Sequence, residues 1–171
     1  MDDQLMDGLR LTIEKLQDIN QTIDYVLLDG VRYDIRYFPD TYPAVLEVAY
    51  TPCVLVFIED ITLNWINKSQ TFNARITCYL GTTSEGVFDD LLQAGLLFNQ
   101  SLIELWGNLI EAQGGGYVLD YGADSGYRIE ITGEPATATG VRSDFQYTKE
   151  DVFYWGFSLT LPMQLTWGVV C

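Results

Sequence analysis

The sequence predicts an α+β fold: a mainly antiparallel sheet packed by an N-terminal helix and one long central helix. Three observations carry this. Apolar residues recur at helical spacing near residues 3–24 and 87–109, and they alternate with period two across 72–80 and 153–167. Helices and strands are also segregated along the chain, in the order helix, strands, long helix, strands. A chain of 171 residues, 48% hydrophobic, suits a single domain over 1–171 with a substantial core.

The opening helix rests on Leu5, Leu9, Ile13, Leu16, Ile19 and Ile23, whose spacings of three and four align them on one face. "YVLLDGVRYDIRYFPDTYP" then reads as extended chain that turns at Asp29 and Gly30. In "PAVLEVAYTPCVLVFIED", Val54 to Ile58 are apolar on both parities, the pattern of a central strand covered on both faces. Pro52 divides that stretch. After the polar "TLNWINKSQ", residues Phe72, Ala74, Ile76, Cys78 and Leu80 alternate with Asn73, Arg75, Thr77 and Tyr79, as in a half-buried strand.

Ser84 is a candidate N-cap for the long helix, and Glu85, Asp89 and Asp90 put negative charge where the helix dipole favours it. Val87, Leu91, Ala94, Phe98, Leu102, Leu105 and Leu109 hold one face, which Phe88, Leu92, Leu96 and Ile103 widen. So wide a stripe suits packing across a sheet, or a helix that also serves between subunits. "GGG" at 114–116 stops the helix. A strand is expected around "GYRIEITG", a Gly, Pro and Thr loop over 133–140, and then "VFYWGFSLTLPMQLTW".

In that last segment Phe153, Trp155, Phe157, Leu159, Leu161, Met163, Leu165 and Trp167 share one parity. Fully extended it would reach roughly 50 Å, against a radius of gyration of about 15 Å for a chain of this length. Two outcomes follow. Either Pro162 imposes an edge, a bulge or a division near Leu161 that keeps the segment in one sheet, or its excess length serves a neighbouring subunit. Phe157, Leu159, Leu161 and Pro162 are the subunit-interface candidates.

Composition bears on function mainly by exclusion. The net charge of −15, from 24 acidic and nine basic residues, disfavours wrapping nucleic acid or docking on an anionic membrane. Between Arg75 and Arg128 there is no Lys or Arg, while Glu85, Asp89, Asp90, Glu104, Glu111, Asp120 and Asp124 fall there. That span reads as a solvated acidic face or as a surface kept negative against a polyanion. Without histidine, Ser-His-Asp and Cys-His schemes cannot be built, and the adjacent carboxylates in the sequence are not an acid/base dyad. "DYGADSGYRIE" departs from a calcium loop at Gly122 and Ser125, and "GGGY" lacks the Lys and Ser/Thr of a phosphate loop. Cys53, Cys78 and Cys171 have no metal-ligand spacing and fit a reducing compartment. The acidic start is not that of a signal peptide, and the longest purely apolar stretch, "VLVFI", is too short to span a membrane. The sequons "NKS" and "NQS" would then never meet the glycosylation machinery. Of the 11 tyrosines, Tyr25, Tyr33, Tyr37, Tyr42 and Tyr50 gather after the first helix, either as ordinary strand residues or as contact area for another protein.

The order of an amphipathic opening helix, Pro-containing strands, one long helix and the closing "FYWGFSLTLPMQLTW" resembles the tail terminator (tail completion) proteins of long-tailed bacteriophages. The resemblance implies a structural virion protein of the tail and neck, assembled in the host cytoplasm, without enzymatic activity or cofactor. It implies a homo-oligomeric ring, usually a hexamer, that caps the tail tube, ends its polymerisation and meets the head-side connector or stopper protein. Tube and sheath proteins are the implied partners, and DNA passes the bore without specific binding. Glu85, Asp89 and Asp90 are the candidates for an acidic lumen. Another neck component is the alternative within the virion. An enzyme or small-ligand binder is the alternative outside it.

Overall fold

The computed structural model describes residues 2–38, 51–82, 88–141 and 153–168. Helix α1 (Asp2–Asn20) precedes strands β1 (Tyr25–Leu28), β2 (Val31–Asp34) and β3 (Arg36–Tyr37). A long hairpin follows, β4 (Cys53–Asn64) and β5 (Ser69–Thr82), then helix α2 (Phe88–Ala112). The remaining strands are β6 (Tyr117–Tyr121), β7 (Tyr127–Ile131), β8 (Ala136–Val141) and β9 (Phe153–Trp167). One seven-stranded sheet runs β3-β4-β5-β9-β7-β6 with β8 also on β9, while β1 and β2 pair separately. Among the described residues only β3 with β4 is parallel. The α+β class read from the sequence is the one observed.

Local chemistry explains the main turns. Asp29 (φ 49°) and Gly30 (φ 74°) form the two-residue link of the β1–β2 hairpin, where both positions need left-handed backbone. At the end of α2, the Gly115 N–H donates to Ile110 O at 3.0 Å and the Gly114 N–H to Glu111 O at 3.0 Å. Both glycines have positive φ, so the "GGG" stop closes the helix by capping its last carbonyls.

Strand β9 is unbroken and central. It pairs with β5 over its whole length, and on its other edge with β7 at one end and β8 at the other. The expectation that Pro162 would force an edge, a bulge in its own strand or a division is therefore corrected. The division lies in the partner. Between the pairs Ile131↔Met163 and Ala136↔Thr160, residues 132–135 face only Leu161 and Pro162. The Pro162 carbonyl accepts from the Thr132 N–H at 2.9 Å on that side, so the missing proline N–H points into the gap between β7 and β8, where no ladder bond is lost. A second correction concerns 133–140, expected as a loop: Ala136–Val141 is strand β8, which pairs with the edge of β9 despite Gly140, with Thr137 and Thr139 suited to a strand.

The length of β9 is matched by two helices lying across it. Gly95 of α2 sits against the Phe157 ring, and Gly8 of α1 against Leu165 and Tyr127; in each case a Cβ would overlap the partner. Between these contacts Leu159, Leu161 and Met163 join Ile76, Ala74, Phe72, Ile129 and Ile131 in the main core. The both-parity pattern of β4 has the same kind of cause. Val54 and Val56 face the helices, while Cys53 and Leu55 face a second cluster with Tyr79 and Tyr154. A buried polar chain ties the layers together. Trp106 Nε1 of α2 donates to Asn20 Oδ1 at 3.0 Å, Asn20 Nδ2 to Gln17 Oε1 at 3.3 Å, and Gln17 Nε2 to the carbonyls of Phe38 and Val54 at 3.1 and 3.3 Å.

A candidate assembly surface

The interface candidates of the closing strand fall on two different faces. Phe157, Leu159 and Leu161 are each 0% exposed, and the elements that cover them belong to the same chain. They have no surface left for a neighbour, which corrects their reading as interface residues: a face of eight apolar residues is what two overlying helices require. Pro162 is on the opposite, half-buried face, with Gly133 against its ring. Of the acidic candidates, Glu85 lies outside the described residues and Asp89 falls in the first turn of α2. Asp90 is half-buried and lines a cleft of about 450 Å³ with Leu28, Tyr33, Leu80 and Gly81.

Apolar exposure is concentrated elsewhere, at two places. The first is the β1–β2 hairpin on the outer side of α2. Its inner face is anchored by buried Val26, and its outer face shows Tyr25 and Leu27. Arg32 lies over the Tyr25 ring, 4.3 Å from its centroid, and holds it in place. Leu27 and Leu97 of α2, 52% and 54% exposed, flank a groove of about 330 Å³ whose floor includes Ala94 and Phe98. Leu96 and Ile103 are also exposed, on the flank of α2 across Gln100 and Glu104 from Leu97, so the edge of its stripe is not consumed by the sheet. Of the tyrosines after α1, Tyr25 and Tyr33 are exposed. Tyr37 instead turns its hydroxyl to the carbonyls of Asn20 and Ile23, and burial pushes its pKa up. Tyr42 and Tyr50 lie outside the described residues.

The second place is the tip of the β4–β5 hairpin. Asn64 Oδ1 accepts from the N–H groups of Ile66 and Asn67, both at 3.1 Å, and Lys68 takes the left-handed conformation that closes the turn (φ 48°). Trp65 packs edge-on against Trp167, with ring centroids 6.4 Å apart. The turn is thus held in one shape while Ile66 stands 93% exposed. Sequence reasoning took this stretch simply as polar. The signal that could have found it is an apolar Trp-Ile pair inside an Asn-x-x-Asn-Lys turn, where solvent-facing polar residues are the rule.

Among the described residues, chemically reactive groups do not converge. Among the described residues no three Cys, Asp or Glu side chains are grouped as metal ligands would be. Burial pushes the Cys53 thiol up to about 12 and raises that of Cys78, opposite to what a nucleophilic thiolate needs. At Asp120 burial alone would raise the carboxyl, but the Gly122 N–H at 2.8 Å, Ser125 and the Lys15 ammonium at 3.5 Å outweigh it and hold the group below its ordinary value. Gly122 and Ser125 belong to the turn itself, and Lys15 ties that turn to α1. Among the described residues no helix is long and apolar enough to cross a membrane. No protein-family model matches this chain, and no curated protein does so either.

Proposed function

We propose that this protein is an assembly subunit of a long-tailed bacteriophage, a ring-forming tail terminator that caps the tail tube and joins it to the head-side connector. One observation carries the reading. Apolar side chains are held in solvent by ordered backbone at two separate places, the Trp65–Ile66 turn and the β1–β2/α2 surface, and covering both takes further protein chains. Two distinct patches suit a subunit with a neighbour on each side. The net charge of −15 supports a conduit that lets DNA pass without holding it.

Light scattering on purified protein, with negative-stain imaging in the presence and absence of tube protein, tests this. A hexameric ring that binds tube ends and limits tube length is expected. A strict monomer, with and without tube protein, refutes it. An oligomer that binds connector protein but not tubes moves the protein to another neck position.

A further inference from the structure

The two exposed patches lie at opposite ends of the same long strands. The Trp65–Ile66 turn joins β4 to β5 just before Ser69, whereas Gly95 of α2 sits over Phe157, the strand partner of Cys78. The groove beside Leu97 is therefore displaced from the turn by the run from Ser69 to Cys78, roughly 30 Å at about 3.3 Å per residue. One copy cannot place its own turn in its own groove.

Their charges are also opposed. From Ile61 to Ser84 the chain has no Asp or Glu, although 24 are spread over its 171 residues, and Lys68 is the only charged residue between Asp60 and Arg75. Lys68 is exposed and has no acidic partner among the described residues. The groove is bordered by Asp24, and the hairpin beside it carries Asp24, Asp29 and Asp34 against Arg32, which lies 3.7 Å from Asp24 and 3.1 Å from Asp34. In so acidic a chain, the non-acidic turn is a part that another copy can approach without repulsion.

We infer that the β4–β5 turn of one copy, with Ile66 as its apolar knob and Lys68 as its charge, docks into the groove between β1 and α2 of the next copy. This rests on the self-assembly reading above. The contact is head-to-tail, the kind whose repetition gives a ring when the rotation between neighbours closes.

The test uses Lys68→Glu and Asp24→Lys, each alone and mixed in equal amounts, with mass followed by light scattering across a concentration series. Alone, each variant opposes like charges across the contact, and its half-assembly concentration should rise about tenfold or more. In the mixture every turn can find a groove of opposite charge, and assembly should return to within about twofold of wild type. Ile66→Asp should also prevent assembly while keeping the thermal midpoint of wild type diluted below its half-assembly concentration, since that side chain is 93% exposed and contributes nothing to the core. If wild type forms rings and the single variants do so equally well, or the mixture stays dissociated, the docking contact is wrong and the ring reading stands. A wild-type monomer removes both. Closed dimers rescued by mixing would keep the contact and overturn the head-to-tail arrangement.

Discussion

Gly95→Ala is the sharpest probe of how α2 meets the sheet. A Cβ built at Gly95 falls 2.1 Å from Cε2 and Cζ of Phe157 and 2.3 Å from Cδ2, where ordinary carbon contacts are about 3.5–4.0 Å. Helix or ring must retreat by about 1.5 Å, and Phe157 is wholly buried, so no open space accepts it. Overpacking of this kind costs about 1–3 kcal/mol, here at the upper end because ring atoms are overlapped on one edge. Alanine returns about 1 kcal/mol of helix propensity, leaving a net loss of about 2 kcal/mol. For a domain of this size the thermal midpoint should fall by about 4–8 °C. Gly107 in the same helix has nothing within 4 Å of its would-be Cβ, so Gly107→Ala should gain about 0.5–1 kcal/mol. Propensity cancels between the two variants, and their urea midpoints, read at constant m, should differ by the equivalent of about 3 kcal/mol. A Gly95→Ala midpoint equal to that of Gly107→Ala would refute the close approach of α2 to β9.

Other outcomes follow from the same core and its polar ties. Leu159→Ala should cost about 2–5 kcal/mol in equilibrium unfolding, and Phe157→Asp should abolish the cooperative transition; a well-folded variant would mean the α2 face of β9 is not core. Trp106→Phe leaves Asn20 Oδ1 buried without its 3.0 Å donor, at about 1–3 kcal/mol, and also empties part of a wholly buried site, so its total cost should exceed that of the hydrogen bond alone. Because the folded-state pKa of Asp120 is lowered, its stabilising contribution is present above the ordinary Asp range and is lost as pH falls through the lowered value. Asp120→Asn should therefore be less stable than wild type near pH 7, with the gap closing towards acid; a gap that widens on acidification contradicts the assignment. Cys53 and Cys78 should resist thiol reagents in the native protein and react on unfolding.

What could be read from the sequence was what periodicity encodes. Alternation found β5 and β9, and helical spacing found both helices, because each element buries one regular face. The turn at Asp29–Gly30 was legible because only certain residues tolerate its backbone. The burial of Phe157, Leu159 and Leu161 was not decided by their parity, since an apolar face looks the same whether its own helices or another chain covers it. The place of Pro162 depended on a gap between β7 and β8, which no local pattern records. The exposed turn escaped notice because two apolar letters among polar ones carry no period.

The position of β9 also orders events in time. Ser69 finds its partner in Thr166 and Thr82 in Phe153, so β5 emerges during synthesis long before the strand that completes it. The β6–β7 hairpin waits on the same late arrival. Until then both hairpins carry an open edge, and Gly95 and Gly8 lack Phe157 and Leu165 beneath them. Completion of the sheet therefore waits for β9 to be made, and nascent chains crowded on one message pass through a window in which edge-to-edge mispairing competes with its insertion.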